Sequence, residues 1–220
     1  MNKIKVTAFR WVPPVAQGLV RDLRVRWALE EARLPYEQVL IGPDDQKSAE
    51  YRKLQPFGQV PVFEADGITL FESGSIVMYI AEKSGALLPA DAAGRARTLT
   101  WMFAALNSIE PHVLNLNTID LFNANEDWAK ARRPGAEAML RGRLDALSKW
   151  LGDKDWLEGG AFTAADLVMI SVLRFLRHIP LVADYPNLEA YKNRGEARPA
   201  FQRALADQLA NFEKYKPAAA

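Results

Sequence analysis

The chain has 220 residues, and its 28 Lys and Arg against 27 Asp and Glu leave no net field that would attract nucleic acid or an anionic membrane. It contains no cysteine, which excludes disulfides, zinc-thiolate sites and a cysteine nucleophile, so any thiol chemistry must use a thiol that a ligand brings. The N-terminus has no apolar stretch typical of a signal peptide, and no run approaches the roughly 18 apolar residues of a membrane span, so we expect a cytoplasmic location.

The first quarter of the chain predicts strands alternating with helices. Apolar side chains near the 3.6-residue spacing of a helix, such as Leu23 and Trp27, predict the first helix. Leu34-Pro35 ends it, because a proline disfavours the helical conformation of the residue before it. The predicted elements are a strand at Lys3–Phe9, a helix at Arg21–Arg33, a strand at Glu37–Ile41 and a short polar helix at Gln46–Leu54.

A β-hairpin follows, because two apolar runs, Val60–Phe63 and Ile68–Phe71, flank an Asp66-Gly67 pair. Asp-Gly favours such a turn, since glycine takes the positive φ that the turn needs. Pro61 cannot donate to a strand ladder, so it belongs at a strand start or in a cis turn.

A helix closes the first domain. Ser73 is its predicted N-cap, Lys83 its last residue, and Gly85 its C-terminal stop. The resulting order β-α-β-α-β-β-α is typical of a thioredoxin-like domain. We place that domain at residues 1–84 and a linker at residues 85–93.

The remainder, residues 94–220, has helical character throughout and predicts an all-α domain. A long amphipathic run from Arg95 to Phe122 is expected to bend near Pro111, because a proline inside a helix removes a hydrogen bond. Thr163 and Asp166 form a predicted capping box ahead of a buried helix, which gives both a structural role. The other predicted helices are Ala136–Leu151 and one that begins at Pro199. The fold class is therefore α+β with two domains.

The segment from Gln55 to Glu82 closely resembles the glutathione-binding half of the cytosolic glutathione transferases. In that family the Val-Pro bond is cis and the valine backbone pairs with the cysteinyl unit of glutathione, which here implicates Val60 and Pro61. An acidic or amide residue followed by serine, here Glu72-Ser73, grips the γ-glutamyl end. A helix N-terminus also suits the γ-glutamyl carboxylate.

The same resemblance implies further contacts and an assembly. Gln59 would reach the glycyl carboxylate of glutathione, with Lys47 or Gln46 as further partners. A small hydrophobic electrophile would be the second substrate, and the predicted walls of its pocket are Trp11, Trp101, Phe103 and Leu106. The chains would pair as a two-fold homodimer through Phe57 and the helix after Ser73. No metal site and no nucleic-acid or membrane partner is predicted.

The resemblance extends through the closing patterns Tyr185-Pro186-Asn187-Leu188 and Arg198-Pro199-Ala200-Phe201, but it fails at the thiol activator. Family members carry a Tyr, Ser or Cys after the first strand, whereas Phe9–Gly18 has no hydroxyl. Lowering a thiol pKa from ~8.5 to about 6.5 takes roughly 2.7 kcal/mol, and one charge-assisted hydrogen bond supplies about 1.5–3 kcal/mol. The candidate donors are Arg10, Trp11 and the loop amides of Val15–Gly18.

Three classes of function stay open on the sequence. The first is a glutathione transferase that adds the glutathione thiolate to a hydrophobic electrophile. The second is another glutathione-dependent reaction, such as peroxide reduction, isomerisation or dehalogenation. The third is a non-catalytic binding or interaction protein, which the missing hydroxyl favours. The intact Gln59-Val60-Pro61 and Glu72-Ser73 segments indicate that glutathione binding itself is retained.

Overall fold

The computed structural model describes residues 3–217, which form two compact units. The first unit holds the chain up to Leu87 together with the segment from Arg198 onward, and the second runs from Leu88 to Ala197. The strands are β1 (Ile4–Phe9), β2 (Tyr36–Ile41), β3 (Val62–Ala65) and β4 (Ile68–Phe71). The α-helices are α1 (Asp22–Glu31), α2 (Pro43–Lys47), α3 (Ala49–Leu54), α4 (Ser73–Ser84), α5 (Ala92–Phe103), α6 (Glu110–Asn117), α7 (Asp127–Leu151), α8 (Ala164–Leu173), α9 (Pro186–Glu196) and α10 (Pro199–Lys214).

The first unit is built on a mixed four-stranded sheet in the order β2-β1-β3-β4. β1 runs parallel to β2 and antiparallel to β3, and β3 forms the hairpin with β4. The hairpin turn has φ values of 50° at Asp66 and 77° at Gly67, typical of a type I′ turn, so the predicted hairpin is confirmed. β3 begins after Pro61, because proline has no N–H to donate to the ladder. The predicted thioredoxin-like arrangement is confirmed.

The polar helix predicted at Gln46–Leu54 is instead two short helices, α2 and α3. Ser48 separates them, since its ψ of 151° is extended backbone. Its hydroxyl oxygen accepts a hydrogen bond from the Tyr51 N–H at 3.1 Å, so Ser48 is the N-cap of α3. The helical stretch begins earlier than predicted because Pro43 fits the first position of α2.

The last helix, α10, packs on the first unit, whereas the sequence placed it in an all-α domain from residue 94 onward. The ring of Trp27 on α1 meets Phe201 of α10 edge to face, with centroids 4.8 Å apart. Arg198 donates two hydrogen bonds to the Glu31 carboxylate, at 2.6 and 2.8 Å. The sequence predicted a helix beginning at Pro199 but did not specify what it would pack against.

In the second unit, a continuous helical stretch from Ala92 to Phe122 confirms the predicted long run. Two π-helical turns interrupt it, Ala104–Ile109 after α5 and Thr118–Phe122 after α6. Pro111 lies in the first turn of α6, directly after the first π turn. The irregularity predicted near this proline is therefore a change in hydrogen-bond register, in which the Glu110 N–H bonds to the Ala105 carbonyl.

Helix α7 begins at Asp127, well before the predicted start at Ala136. Pro134 lies within this helix on an exposed face, where water can satisfy the carbonyl one turn back. Buried Ala129 shows that the early part of α7 is packed as well. No helix within residues 3–217 has the combination of length and apolar composition that crossing a membrane requires.

The predicted capping box at the start of α8 is confirmed. Asp166 is fully buried and accepts hydrogen bonds from the backbone N–H and the hydroxyl of Thr163, at 2.8 and 2.9 Å. It also accepts from the Leu157 N–H at 2.8 Å and the Tyr191 hydroxyl at 3.0 Å. Four donors on one carboxylate explain its burial, so the role of Asp166 is structural.

Candidate functional site

The last residues of β1 and β4, the first residues of β3 and the start of α4 lie together where these strands terminate, and this end of the sheet is called the site edge of the sheet. β1 and β3 are antiparallel neighbours, and Phe9 at the end of β1 packs against the cluster that contains Val60. β4 ends at Phe71, which pairs with Val62 at the start of β3. These pairings bring together three predicted parts of the site, namely Arg10-Trp11, Val60-Pro61 and Glu72-Ser73.

The Val60-Pro61 peptide bond is cis, as the sequence predicted. The loop before it is held from α2 and α3, because the Gln46 amide donates to the Gly58 carbonyl and the Tyr51 hydroxyl donates to the Gln59 carbonyl, both at 2.6 Å. The Gln46 side-chain amide is thus hydrogen-bonded to the loop, whereas the sequence predicted that it could contact the ligand. Both bonds were missed at the sequence level, because their partners lie 12 and 8 residues away across an irregular loop.

Tyr51 is a permanent donor to this loop. Only 6% of the residue is exposed, and burial raises the pKa of its hydroxyl to about 12. The hydroxyl therefore keeps its proton at neutral pH and remains bonded to the Gln59 carbonyl. Tyr51 is a brace for the cis-proline loop and not a substitute for the missing thiol activator.

The side chains of Gln59 and Lys47 are exposed. Gln59 precedes the cis bond, and Lys47 is the last residue of α2. Neither side chain makes a hydrogen bond or an ion pair within the part of the chain that the structure describes. Their contact with a ligand carboxylate stays a prediction.

The start of α4 differs from the prediction, because Glu72 and not Ser73 is the N-cap. Ser73 is the first helical residue, and its buried hydroxyl accepts a hydrogen bond from Arg24 Nη1 at 3.2 Å. The first helical bond joins the Ile76 N–H to the Glu72 carbonyl, so the amides before Ile76 have no partner within the helix. Unpaired amides and the helix dipole together favour an anion at this position.

Glu72 has φ 68° and ψ 111°, a backbone conformation that residues with side chains rarely adopt. Such conformations persist where the surrounding structure imposes them, and they are frequent at ligand sites. The Glu72 side chain is exposed at the same edge as the α4 N-terminus. A carboxylate beside free amides suits a ligand that carries an amino group and a carboxylate on one carbon.

The structure distinguishes the two side chains predicted as thiol activators. Arg10 is exposed, and its guanidinium carbon lies 5.9 Å from the ring centroid of Tyr215, just after α10. Trp11 is half-buried, and its indole N–H is buried without a hydrogen-bond partner among residues 3–217. A buried donor without an acceptor costs about 1–3 kcal/mol, which an acceptor on a ligand would recover. The geometry therefore favours Trp11 over Arg10.

Some of the loop amides predicted as alternative donors to the thiolate already donate to backbone carbonyls. The Ala16 N–H donates to the Pro13 carbonyl at 2.9 Å, and the Gln17 N–H donates to the Pro14 carbonyl at 3.2 Å. The Gln17 side-chain amide also donates to the Val12 carbonyl at 3.0 Å. These bonds close the loop into tight turns, and they remove two of the four amides predicted as thiolate donors.

The remaining predicted pocket residues lie in the second unit. Trp101 packs on Trp150, with ring centroids 5.1 Å apart. Phe103 is 55% exposed at the end of α5, and Leu106 is half-buried in the first π turn. Their contact with an electrophile, together with that of Trp11, stays a prediction.

Two family models match the chain. The N-terminal domain of glutathione S-transferase matches residues 16–82, and the C-terminal domain matches residues 125–199. The first match includes the cis-proline loop and the start of α4. It begins at residue 16, so it leaves out Arg10 and Trp11, the two side chains predicted to activate the thiol.

Individual proteins of similar sequence or structure also carry glutathione transferase or glutathione-related names. A glutathione S-transferase-like protein, LUC7, from Fusarium is 36% identical and covers 66% of this chain, which spans 65% of that relative. The disulfide-bond oxidoreductase YfcG of Escherichia coli is 31% identical, covering 80% of this chain and 86% of the relative. A solved glutathione transferase from Burkholderia graminis, with two glutathione molecules bound per subunit, is 30% identical with a TM-score of 0.81, covering 92% of this chain and 87% of that one.

The matches to both domain models cover most of the chain, and the fold agrees with them from the cis-proline loop to the capping box of α8. Relatives above 30% identity extend over most of its length. This chain belongs to the cytosolic glutathione S-transferase family.

Proposed function

We propose that this protein is a glutathione transferase that adds the glutathione thiolate to a small hydrophobic electrophile. The observation that carries the proposal is the meeting of the cis Val60-Pro61 loop and the N-terminus of α4 at one sheet edge. The first offers backbone groups to a peptide-like ligand, and the second offers unpaired amides to a carboxylate. Glutathione, a short peptide with carboxylates at both ends, has the chemistry that this edge accommodates.

Each part of the site has a role in this proposal. The Val60 backbone pairs with the cysteinyl unit, and Glu72 with Ser73 binds the γ-glutamyl amino group and carboxylate. Gln59 and Lys47 are exposed on the side where the glycyl carboxylate would lie. The buried indole N–H of Trp11 then stabilises the thiolate, because a thiolate accepts a hydrogen bond much more strongly than a thiol does.

The thiolate attacks the electrophilic carbon of the second substrate and forms a C–S bond. In a substitution the leaving group is expelled with its bonding electron pair, and in an addition the π electron pair moves onto the neighbouring atom of the substrate, which then takes up a proton. A lower thiol pKa raises the thiolate fraction at neutral pH and so the rate. Trp101, Phe103 and Leu106 are the proposed apolar contacts of the electrophile in the second unit.

Titration with glutathione tests the proposal directly. We expect heat of binding in calorimetry and an increase in far-ultraviolet thiolate absorbance at neutral pH, followed by conjugation of an aromatic halide. Ser73→Ala should weaken glutathione by roughly 1–2 kcal/mol, since it removes a hydrogen bond to a charged group. Binding without a thiolate signal would instead support a non-catalytic binding protein, and no binding would contradict the proposal.

A second candidate is the glutathione-dependent reduction of a disulfide. The relative YfcG is named a disulfide-bond oxidoreductase, and the Burkholderia graminis structure holds two glutathione molecules per subunit. Because this chain has no cysteine, both thiols must come from glutathione. One thiolate would attack a sulfur of the substrate and release the other sulfur as a thiolate, and the second would attack the mixed disulfide to give glutathione disulfide and the second substrate thiol. A stoichiometry of two glutathione molecules per chain, with turnover of a small disulfide, would favour this reaction.

We also propose a homodimer. Phe57 is 64% exposed in the loop before the cis proline, and its ring meets Phe71 of the edge strand β4 with centroids 6.2 Å apart. Phe71 is itself exposed, and a second copy of the chain would cover the rings of Phe57 and Phe71. Light scattering should give twice the chain mass, and Phe57→Glu should give the monomer mass. A wild-type particle of single-chain mass at micromolar concentration would contradict the dimer.

A further inference from the structure

We propose that Arg24 is a positioning residue for the ligand's γ-glutamyl carboxylate, acting through the Ser73 hydroxyl. This inference rests on the proposed binding of glutathione at the start of α4. Arg24 lies on α1 and Ser73 on α4, 49 residues apart in sequence. Their hydrogen bond joins the two helices directly beneath the edge where the ligand is proposed to bind.

The burial of Arg24 is unusual for its residue type. Arginine is seldom fully buried unless it is bonded, yet only 2% of Arg24 is exposed. Every residue of α1 from Asp22 to Leu29 is buried, so this helix has no solvent face over that span. The guanidinium is therefore held in a fixed position, and its Nη1 lies 3.2 Å from Ser73 Oγ.

The direction of this bond determines what the serine can do. A guanidinium has only donors, so Ser73 Oγ must be the acceptor. The serine hydrogen then has to point away from Arg24, and among residues 3–217 the Ser73 hydroxyl makes no second hydrogen bond. Arg24 thereby turns Ser73 into an outward donor, next to the amides of the first turn of α4. A carboxylate bound there would accept hydrogen bonds from both the Ser73 hydroxyl and these amides.

The positive charge adds to the effect of the bond. An arginine side chain stays protonated at any physiological pH, so a full charge lies one hydrogen bond behind the serine. That charge strengthens the serine as a donor and favours an anion at a site where the helix dipole already does so. Ser73 without Arg24 would be free to rotate, and its hydrogen could point away from the ligand.

The neighbouring Arg26 shows what a purely structural arginine looks like in the same helix. Its guanidinium bonds to Asp22 at 2.6 Å, to Asp207 of α10 and to Gln38 at 2.8 Å. Those partners fasten α1 to β2 and α10, away from the start of α4. Arg24 and Arg26 therefore form a matched pair for experiment, with equal charge and similar burial, and Arg24 differs in its hydrogen bond to Ser73.

The test compares glutathione with γ-aminobutyryl-cysteinyl-glycine, which lacks only the γ-glutamyl carboxylate. We expect Arg24→Met to weaken glutathione about tenfold, the effect of losing one hydrogen bond to a charged group, and to leave the weaker binding of the analogue unchanged. Arg24→Lys, which keeps a donor and the charge, should restore part of the difference. In a Ser73→Ala background, Arg24→Met should cause no further loss for glutathione.

Several outcomes would overturn the inference. Equal losses for glutathione and the analogue in Arg24→Met would show a general structural effect, as would an additional loss in the Ser73→Ala background. If Arg24→Met does not fold, Arg24→Gln tests the charge instead, because it keeps a neutral donor; it should weaken glutathione by less than tenfold and leave the binding of the analogue unchanged. Weak binding in Ser73→Ala with wild-type binding in the Arg24 variants would reject Arg24 and leave the proposed function intact. Unchanged binding in Ser73→Ala would instead contradict the proposed binding mode.

Discussion

The hydroxyl of Tyr51 on α3 donates to the Gln59 carbonyl at 2.6 Å, and this bond holds the backbone immediately before the cis Val60-Pro61 bond. The backbone before the cis bond is thus held by a helix outside the sheet. A hydrogen bond of this kind contributes about 0.5–1.5 kcal/mol to stability, so its loss should be measurable.

Tyr51→Phe should lower the free energy of unfolding by about 1–2 kcal/mol and weaken glutathione, because the Gln59 carbonyl loses its donor while the ring packing is kept. Urea unfolding and calorimetry measure the two effects. Tyr215→Phe is the control, since this tyrosine is exposed, and it should change neither. Tyr51→Phe with wild-type stability and affinity would show that the loop does not depend on the brace.

The same residue predicts a stability change at high pH. The pKa of Tyr51 is raised by burial from 10 to about 12, so its neutral form is favoured in the folded state. The stability advantage of wild type over Tyr51→Phe should be complete below pH 10 and should be lost as the pH rises from 10 to 12, because the folded state disfavours ionisation of this tyrosine. Comparing the two proteins cancels the other titrating groups. A difference that stays constant over this range would contradict the assignment.

Trp11→Phe should raise the pKa of the bound glutathione thiol by about one to two units, the effect of removing a donor worth about 1.5–3 kcal/mol. Affinity for S-methylglutathione should hardly change, because it has no thiolate to stabilise. Arg10→Ala is the control, since this guanidinium is exposed and lies over Tyr215. The pKa of the bound thiol is measured from thiolate absorbance as a function of pH. A pKa that moves in Arg10→Ala and not in Trp11→Phe would reverse the assignment.

Glu72→Gly should stabilise the protein and weaken glutathione. The φ of 68° at Glu72 stores about 1–3 kcal/mol of strain, and the greater freedom of glycine in the unfolded chain offsets about 0.4–1 kcal/mol of the gain. Glu72→Gln keeps the strain and loses only the charge, so it should weaken binding at wild-type stability. Thermal unfolding and calorimetry separate the two variants, and a destabilised Glu72→Gly would show that this backbone is not strained.

Asp166→Ala should lower the free energy of unfolding by about 3 kcal/mol or more, because it leaves four donors around a buried position without an acceptor. Asp153→Ala is the matched control on the surface, where a change within about 0.5 kcal/mol is expected. Denaturant unfolding measures both. Equal stability of the two variants would contradict the structural role of Asp166.

Features set by neighbouring residues were predicted from the sequence. The Asp66-Gly67 turn follows from the φ values that the two residues tolerate, and the Thr163 box follows from side chains three residues apart. The cis bond at Pro61 was predicted from the resemblance of a continuous segment. Boundaries were less accurate where proline was involved, since Pro43 starts α2 and Pro134 lies within α7 without ending it.

The sequence by itself determined the element order, the hairpin, the family resemblance and the absence of a protein thiol, because each of these is encoded in residue types or short spacings. Only the tertiary structure decided that α10 packs on α1, that Arg24 meets Ser73, and that the Trp11 N–H has no hydrogen-bond partner among residues 3–217. These facts depend on residues far apart in the chain coming into contact. A local pattern shows that a side chain will be buried, but its hydrogen-bond partner is fixed only when the packed helices and strands bring two distant segments together.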